Sequence, residues 1–356
     1  MIENQKKVRV GVIGAGVWAT TSHLPTLMRR KDEIEMVGVC RKGGQELAKV
    51  ANDFGFRIAS EDYQDVLDAG IDLCVVSSPV GFHYEHAKAA LESGAHVLLE
   101  KPVTIDPSQA WSLVALAERL DRHVVVSFGW NYLPTHRRAR ELWGTRGIGN
   151  IEHLMVHMSS GIRELLLGTS VSSTGDPNDK ADTSTWTDPK ISGGGYGQAQ
   201  LSHALGWILG LTGLRAESVF AMAGGPAEAT VELHDAIAVR FEGGAIGSIS
   251  GASAHGVQGI RHQMEYRVFG NEGQLHADLE RDRLVFWRFD GEKQEAVLPL
   301  DAGSYHCEGP PLTLLDLIVG RTTENLSSME LGARTVEVLS AVYRSINSGT
   351  QEMIRS

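Results

Sequence analysis

Lys101 and His203 are the two side chains of this chain whose setting suggests proton chemistry. Lys101 stands in Glu100-Lys101-Pro102, directly after the apolar run His96-Val97-Leu98-Leu99. That run reads as a buried strand, and an α/β protein keeps its chemistry at the carboxyl ends of such strands. A lysine there has three uses: donating to a substrate oxygen, passing its proton on, or holding a ligand in place. Burial or a neighbouring cation lowers its pKa into a usable range. Glu100 can pair with it or reach a ribose, and a purely structural ion pair remains the plain alternative.

His203 follows Gly193-Gly194-Gly195, a backbone able to approach something closely, and sits on a predicted helix over 196–211. Leu201, Leu205 and Ile208 mark one helix face. Tyr196, Ala199, Gln200, His203 and Trp207 mark the other, at spacings of three and four. Rings to stack on and amides for hydroxyls suit a sugar. A polar helix face with a satisfied histidine is the competing reading.

A third feature is Gly14-x-Gly16-x-x-Ala19, between the β-branched run Val8 to Ile13 and a helical pattern. The first glycine makes the strand-to-helix turn, and the second lets backbone approach a pyrophosphate at the helix N-terminus. The strand-turn-helix context marks a dinucleotide site. The end of the next strand, Val39-Cys40-Arg41-Lys42, offers no acid for a ribose 2′-hydroxyl. Arg41 and Lys42 fit a 2′-phosphate instead, which favours NADP over NAD. Two solvated surface cations would read the same way.

The elements that must position these groups fall into two sets. From residue 8 to 128 strands alternate with helices, which predicts βαβ units and a parallel sheet. Beyond Gly129 come a long polar connection, Arg163 to Ser192, and a helix. Strand-like runs follow at 218–223, 229–241, 245–252, 263–269, 274–277, 284–288 and 295–298, with glycine turns between them. The tail, 330–346, reads as a last helix. The prediction is an α/β chain: a Rossmann domain over 1–129, then an α/β domain over 130–356 with a large, mostly antiparallel open sheet. The final helix has the option of packing back on the first domain.

Bulk properties set limits. The chain has 356 residues, enough for two domains, and a formal charge of −11, which argues against nucleic acid or an anionic membrane as partner. Its three cysteines, Cys40, Cys74 and Cys307, make no C-x-x-C pair. His153 and His157 would stand about 13 Å apart along a strand at ~3.3 Å per residue, too far to share a metal. No metal site is predicted. Neither a signal peptide nor a bilayer span is legible, so a reducing cytoplasm is the expectation.

Taken together, Gly11-Val12-Ile13-Gly14-Ala15-Gly16, Ser78-Pro79 followed by His83, Gly94-Ala95-His96-Val97 running into Glu100-Lys101-Pro102, and Gly193-Gly194-Gly195 before His203 resemble the Gfo/Idh/MocA oxidoreductases. The resemblance covers nearly the whole chain. It implies hydride transfer between NAD or NADP and a secondary hydroxyl of a sugar, glycoside or polyol, with Lys101 and His203 handling the hydroxyl proton. It also implies cofactor contacts from Gly14, Gly16, Val17, Trp18, Arg41, Lys42, Ser78, Pro79, His83, Glu100 and Lys101. Substrate contacts are expected from Gln200, Tyr196, Trp186 and Asn131. Assembly as a homodimer or homotetramer through the open sheet is a further implication.

One departure stands out. Many relatives carry an Asp one turn before the histidine, and here that place is Ala199. An amide such as Gln200 holds a hydroxyl but takes no proton. This leaves two alternatives beside the dehydrogenase: redox-neutral cleavage of a glycoside with tightly held NAD, and a non-catalytic NAD(P)-binding regulator.

Overall fold

The computed structural model describes residues 6–169, 182–256 and 261–355. The middle of the predicted polar connection, 170–181, lies outside the described residues.

Six short strands, β1 (Val8–Ile13), β2 (Ile34–Cys40), β3 (Ile58–Ser60), β4 (Leu73–Val76), β5 (His96–Leu99) and β6 (Val124–Val126), form a parallel sheet in the order β3-β2-β1-β4-β5-β6. Strands β4 and β6 are buried along their whole length, because helices cover both faces. The order reverses between β1 and β4, so a crevice opens beyond their carboxyl ends.

The second sheet has nine strands among the described residues: β7 (Ile151–Ser160), β8 (Ala216–Gly224), β9 (His234–Phe241), β10 (Ile246–Ser253), β11 (Gln263–Gly270), β12 (Gly273–Asp278), β13 (Arg283–Arg288), β14 (Lys293–Glu295) and β15 (Glu352–Met353). All neighbours are antiparallel except the central pair β7 and β10. β9 alternates exposed and buried at every residue, as a sheet with one covered face requires. Helices Ser202–Thr212 and Met329–Ser348 lie on the covered side. The other side leaves Phe220, Met222 and Ile246 exposed.

The predicted strand at 295–298 ends at Glu295, and Val297 and Leu300 are almost fully exposed. The helix Gly309–Ile318 follows β14 in the chain but packs on β5 and β6 of the first sheet. Its Leu314, Leu315 and Leu317 join Val10, Val12, Leu98 and Val125 in one core. The segment after it runs along β6: Val126 donates to the Ser327 carbonyl, and Asn325 Nδ2 to that of Val124. Helix Met329–Ser348 packs on Pro107–Leu120 of the first domain as well as on β8. No helix among the described residues is long and apolar enough to cross a membrane.

Candidate active site

The loops after β1, β4 and β5 interlock at the crevice. Gly14 has φ +87°, and a Cβ there would fall 2.2 Å from the Ser78 amide nitrogen. Only glycine lets the two loops meet so closely. Ser77 Oγ donates to the Gly14 carbonyl at 2.9 Å. A Cβ on Gly16 would meet nothing within 4 Å, so this side of the turn is open. The helix beginning at Val17 turns its first amides, without intrahelical partners, toward that space. A shaped glycine turn with an open, donor-rich face fits a pyrophosphate.

Arg41 folds back on this turn, with Nη1 3.2 Å from the Ala15 carbonyl. Lys42 is exposed and reaches the Glu61 carbonyl at 3.4 Å. His83 does not face the crevice. It is buried, with Nδ1 2.9 Å from the Pro102 carbonyl and Nε2 2.7 Å from that of Ser78. Burial pushes its pKa down while the two carbonyls push it up. The two ring nitrogens face one carbonyl oxygen on each loop, so His83 packs between the loops that follow β4 and β5.

Glu100 is buried where β5 ends, yet its carboxyl is held below the usual range. Burial raises it, and the hydrogen bond and charge of His23, the Lys101 ammonium and the Lys101 amide outweigh burial. Trp18 Nε1 donates to the same oxygen at 2.9 Å. Lys101, after this acid and before a cis peptide to Pro102, is half-buried. Burial lowers its pKa, and Glu100 and Cys307 oppose that. Its Nζ donates to the Ala199 carbonyl at 2.8 Å.

Ala199 belongs to a π-helical turn, Gly197–Leu201, that leads into the helix Ser202–Thr212 carrying His203. The glycine turn before it closes on this chain's own side chains. Glu232 accepts from the Gly195 amide at 2.9 Å, the Gly197 amide at 3.0 Å and the Tyr343 hydroxyl at 2.6 Å. A carboxylate at a helix N-terminus satisfies its orphan amides and its dipole. His203 is buried, with Nδ1 unpartnered among the described residues. Burial drives its pKa well below the usual value, and Lys101 and His262 add to this.

The remainder of the helix corrects the polar-stripe reading. Tyr196 is fully buried and its hydroxyl donates to the Met158 carbonyl at 3.1 Å. Trp207 is buried and stacks on Tyr266 at 4.1 Å. The helix lies between the second sheet and the first domain, so nearly every residue of it is enclosed. Spacing reports which residues share a face and is silent about what covers it. Asn131 is likewise buried, donating to the Gly206 and Leu326 carbonyls at 3.1 Å each, which ties the histidine helix to the segment running along β6. Gln200 is half-buried one turn before His203. Trp186 lies half-buried on the short helix Ser184–Thr187, with no ring contact among the described residues.

Tyr305, which no motif marks, stands at the centre. Its ring is 5.3 Å from that of His203, 4.8 Å from Trp130 and 6.1 Å from His262, and lies nearly parallel to Trp18 at 6.0 Å. Burial pushes its pKa well above the ordinary value. It comes from an aperiodic loop far along the sequence, and only the fold brings it here. His23 is a second residue without a sequence signal beyond its place on the fingerprint helix.

Two sequence comparisons agree with this geometry. The model described as an oxidoreductase family with NAD-binding Rossmann fold matches residues 8–128, and that of the GFO/IDH/MocA C-terminal domain matches 136–276. D-glucoside 3-dehydrogenase of Escherichia coli is 34% identical over 135 residues, 38% of either chain. Glucose-6-phosphate 3-dehydrogenase of Bacillus subtilis is 34% identical over 149 residues, 42% of this chain and 41% of that one. The chain thus aligns with about two fifths of the length of these curated relatives. The WlbA dehydrogenase of Bordetella pertussis, solved with NADH and UDP-GlcNAcA, shares the fold at TM-score 0.77 and 20% identity, over 99% of this chain and all of that one. With both sequence models matched in order, one on each side of the lysine-to-helix contact, this chain belongs to the Gfo/Idh/MocA oxidoreductase family.

Proposed function

We propose that this protein is an NAD(P)-dependent dehydrogenase acting on a secondary hydroxyl of a sugar, glycoside or polyol. The observation that carries the reading is the bond from Lys101 Nζ to the Ala199 carbonyl, one turn before His203. It joins the lysine of the first domain to the histidine helix of the second, beside the glycine turn suited to a dinucleotide.

A bound nicotinamide supplies the hydride acceptor or donor. The residues supply the rest. Lys101, with its pKa lowered by burial, takes the hydroxyl proton in oxidation and returns it in reduction. His203 stays neutral and orients the hydroxyl through a ring nitrogen. Trp18 and Tyr305 offer apolar faces to the C–H side of a sugar ring, and Gln200 offers an amide to a neighbouring hydroxyl. Arg41, folded on the glycine turn, supports a 2′-phosphate and so NADP. The exposed face carrying Phe220, Met222 and Ile246 supports assembly of copies into a homodimer or homotetramer.

The test is a panel of pyranosides, free sugars and inositols with NAD and NADP. Cofactor reduction at 340 nm supports the dehydrogenase. Glycoside cleavage without net reduction replaces it with the redox-neutral reading. A folded, cofactor-binding protein that does neither overturns both in favour of a regulator.

A further inference from the structure

We propose that His23 is a positioning residue that keeps Glu100 ionised and thereby sets the proton affinity of Lys101. The inference deepens the proposed dehydrogenase reading, on which the catalytic meaning of Lys101 rests.

Glu100 is an acid buried at the centre of the site, and an isolated carboxylate there would take up a proton. Three donors prevent this. Trp18 Nε1 at 2.9 Å and His23 Nε2 at 2.7 Å share Oε1, and the Lys101 amide reaches Oε2 at 3.1 Å. The amide and the indole belong to groups that do not titrate. His23 makes the shortest of the three contacts and is itself ionisable. It is fully buried, and its Nδ1 has no partner among the described residues. Against a carboxylate oxygen, which only accepts, Nε2 is the donor of this contact.

The local fold is built for this contact. Trp18 and His23 are five residues apart, which on an ordinary α-helix separates them by about 140° at ~100° per residue. Here Ala19–His23 is a π turn, whose i to i+5 bonding closes that gap. Both donors therefore reach one carboxylate oxygen. The other groups facing Glu100 are Lys101 beside it, Tyr305 and Cys307 from the loop before Gly309, and His83 from the helix after β4. His203 and His262 face Lys101 from the second domain. An ionised Glu100 favours the ammonium of Lys101, whereas burial favours the free amine.

Removing the His23 donor makes Glu100 easier to protonate, and a neutral Glu100 no longer holds the proton on Lys101. The titration of Lys101 then moves to lower pH. Competitive labelling with acetic anhydride across pH, with the Lys101 peptide read by mass spectrometry, measures this without any turnover. It therefore stands or falls separately from the dehydrogenase reading. His23→Leu shifts the Lys101 midpoint down by about one pH unit. His23→Gln, whose amide donates from a similar reach, stays near wild type. Trp18→Phe shifts in the same direction and by less. Where turnover is measurable, the acid limb of sugar oxidation moves with the label. A folded His23→Leu protein with an unshifted midpoint overturns the proposal. So does His23→Gln shifting as far as His23→Leu. Should His23→Leu fail to fold, an unshifted Trp18→Phe together with a shifted His23→Gln overturns it equally.

Discussion

Lys101 of the first domain hydrogen-bonds the backbone carbonyl of Ala199 in the second, at 2.8 Å. A carbonyl is a fixed, neutral acceptor. It orients the amine without stabilising its charge as a carboxylate would, and it takes no proton. On the proposed reading, the proton handling therefore concentrates on Lys101. Ala199→Asp puts a charged partner beside the amine, so the acid limb of kcat/KM for sugar oxidation moves up by about one pH unit. A profile that superimposes on wild type rejects this account of the contact.

Lys101→Ala removes the proposed proton acceptor and leaves the glycine turn untouched. Loss of a general base costs about 10²–10⁴ in rate. Turnover falls by that order, and cofactor affinity, read by fluorescence titration, changes less than about threefold. Near-normal turnover removes Lys101 from the mechanism.

Arg41 bends over Ala15 with no acid bonded to its guanidinium among the described residues. Arg41→Ala weakens NADP by about tenfold or more and NAD by under about threefold, since one charge-assisted contact is worth roughly 1.5–3 kcal/mol. Equal losses for the two cofactors reject the phosphate role.

Asp235 is buried with both carboxylate oxygens unpartnered among the described residues, and burial together with the charge of Glu232 pushes its pKa from 3.8 to about 8. Between those values the unfolded chain releases a proton that the folded chain keeps. Stability therefore falls as pH climbs from about 4 to about 8 and is level beyond. Asp235→Asn removes that slope. Its melting temperature matches wild type near pH 4 and exceeds it by several degrees at pH 8. Parallel melting curves across that range contradict the assignment.

The first sheet was the most legible part of the chain. Val8–Ile13, Ile34–Cys40 and His96–Leu99 are apolar runs broken only by Arg9, Glu35 and His96 near their starts, because both their faces are covered, and their bounds follow from composition. Ile58–Ser60 escaped notice because it is three residues long and only partly covered. The alternating strands of the second sheet are equally plain in pattern, but the parallel pairing of β7 with β10 is not, since partner choice leaves no periodicity. Lys101 and His203 carry local signals. The two π turns add one residue each to a helical register, which side-chain chemistry does not announce. Tyr305 reaches the site by a chain path of some two hundred residues after Lys101, and Tyr196 leaves it because a sheet lies over its face.

The helix Gly309–Ile318 has a practical consequence for anyone wishing to borrow the nucleotide-binding half. Cutting the chain after Gly129 strips Leu314, Leu315 and Leu317 from beside Val10, Val12, Leu98 and Val125, leaving a greasy wound along one face of the sheet. Such a fragment clumps unless the missing strip is spliced back on. A chimera that swaps this half between relatives has to carry two separate stretches of gene, not one.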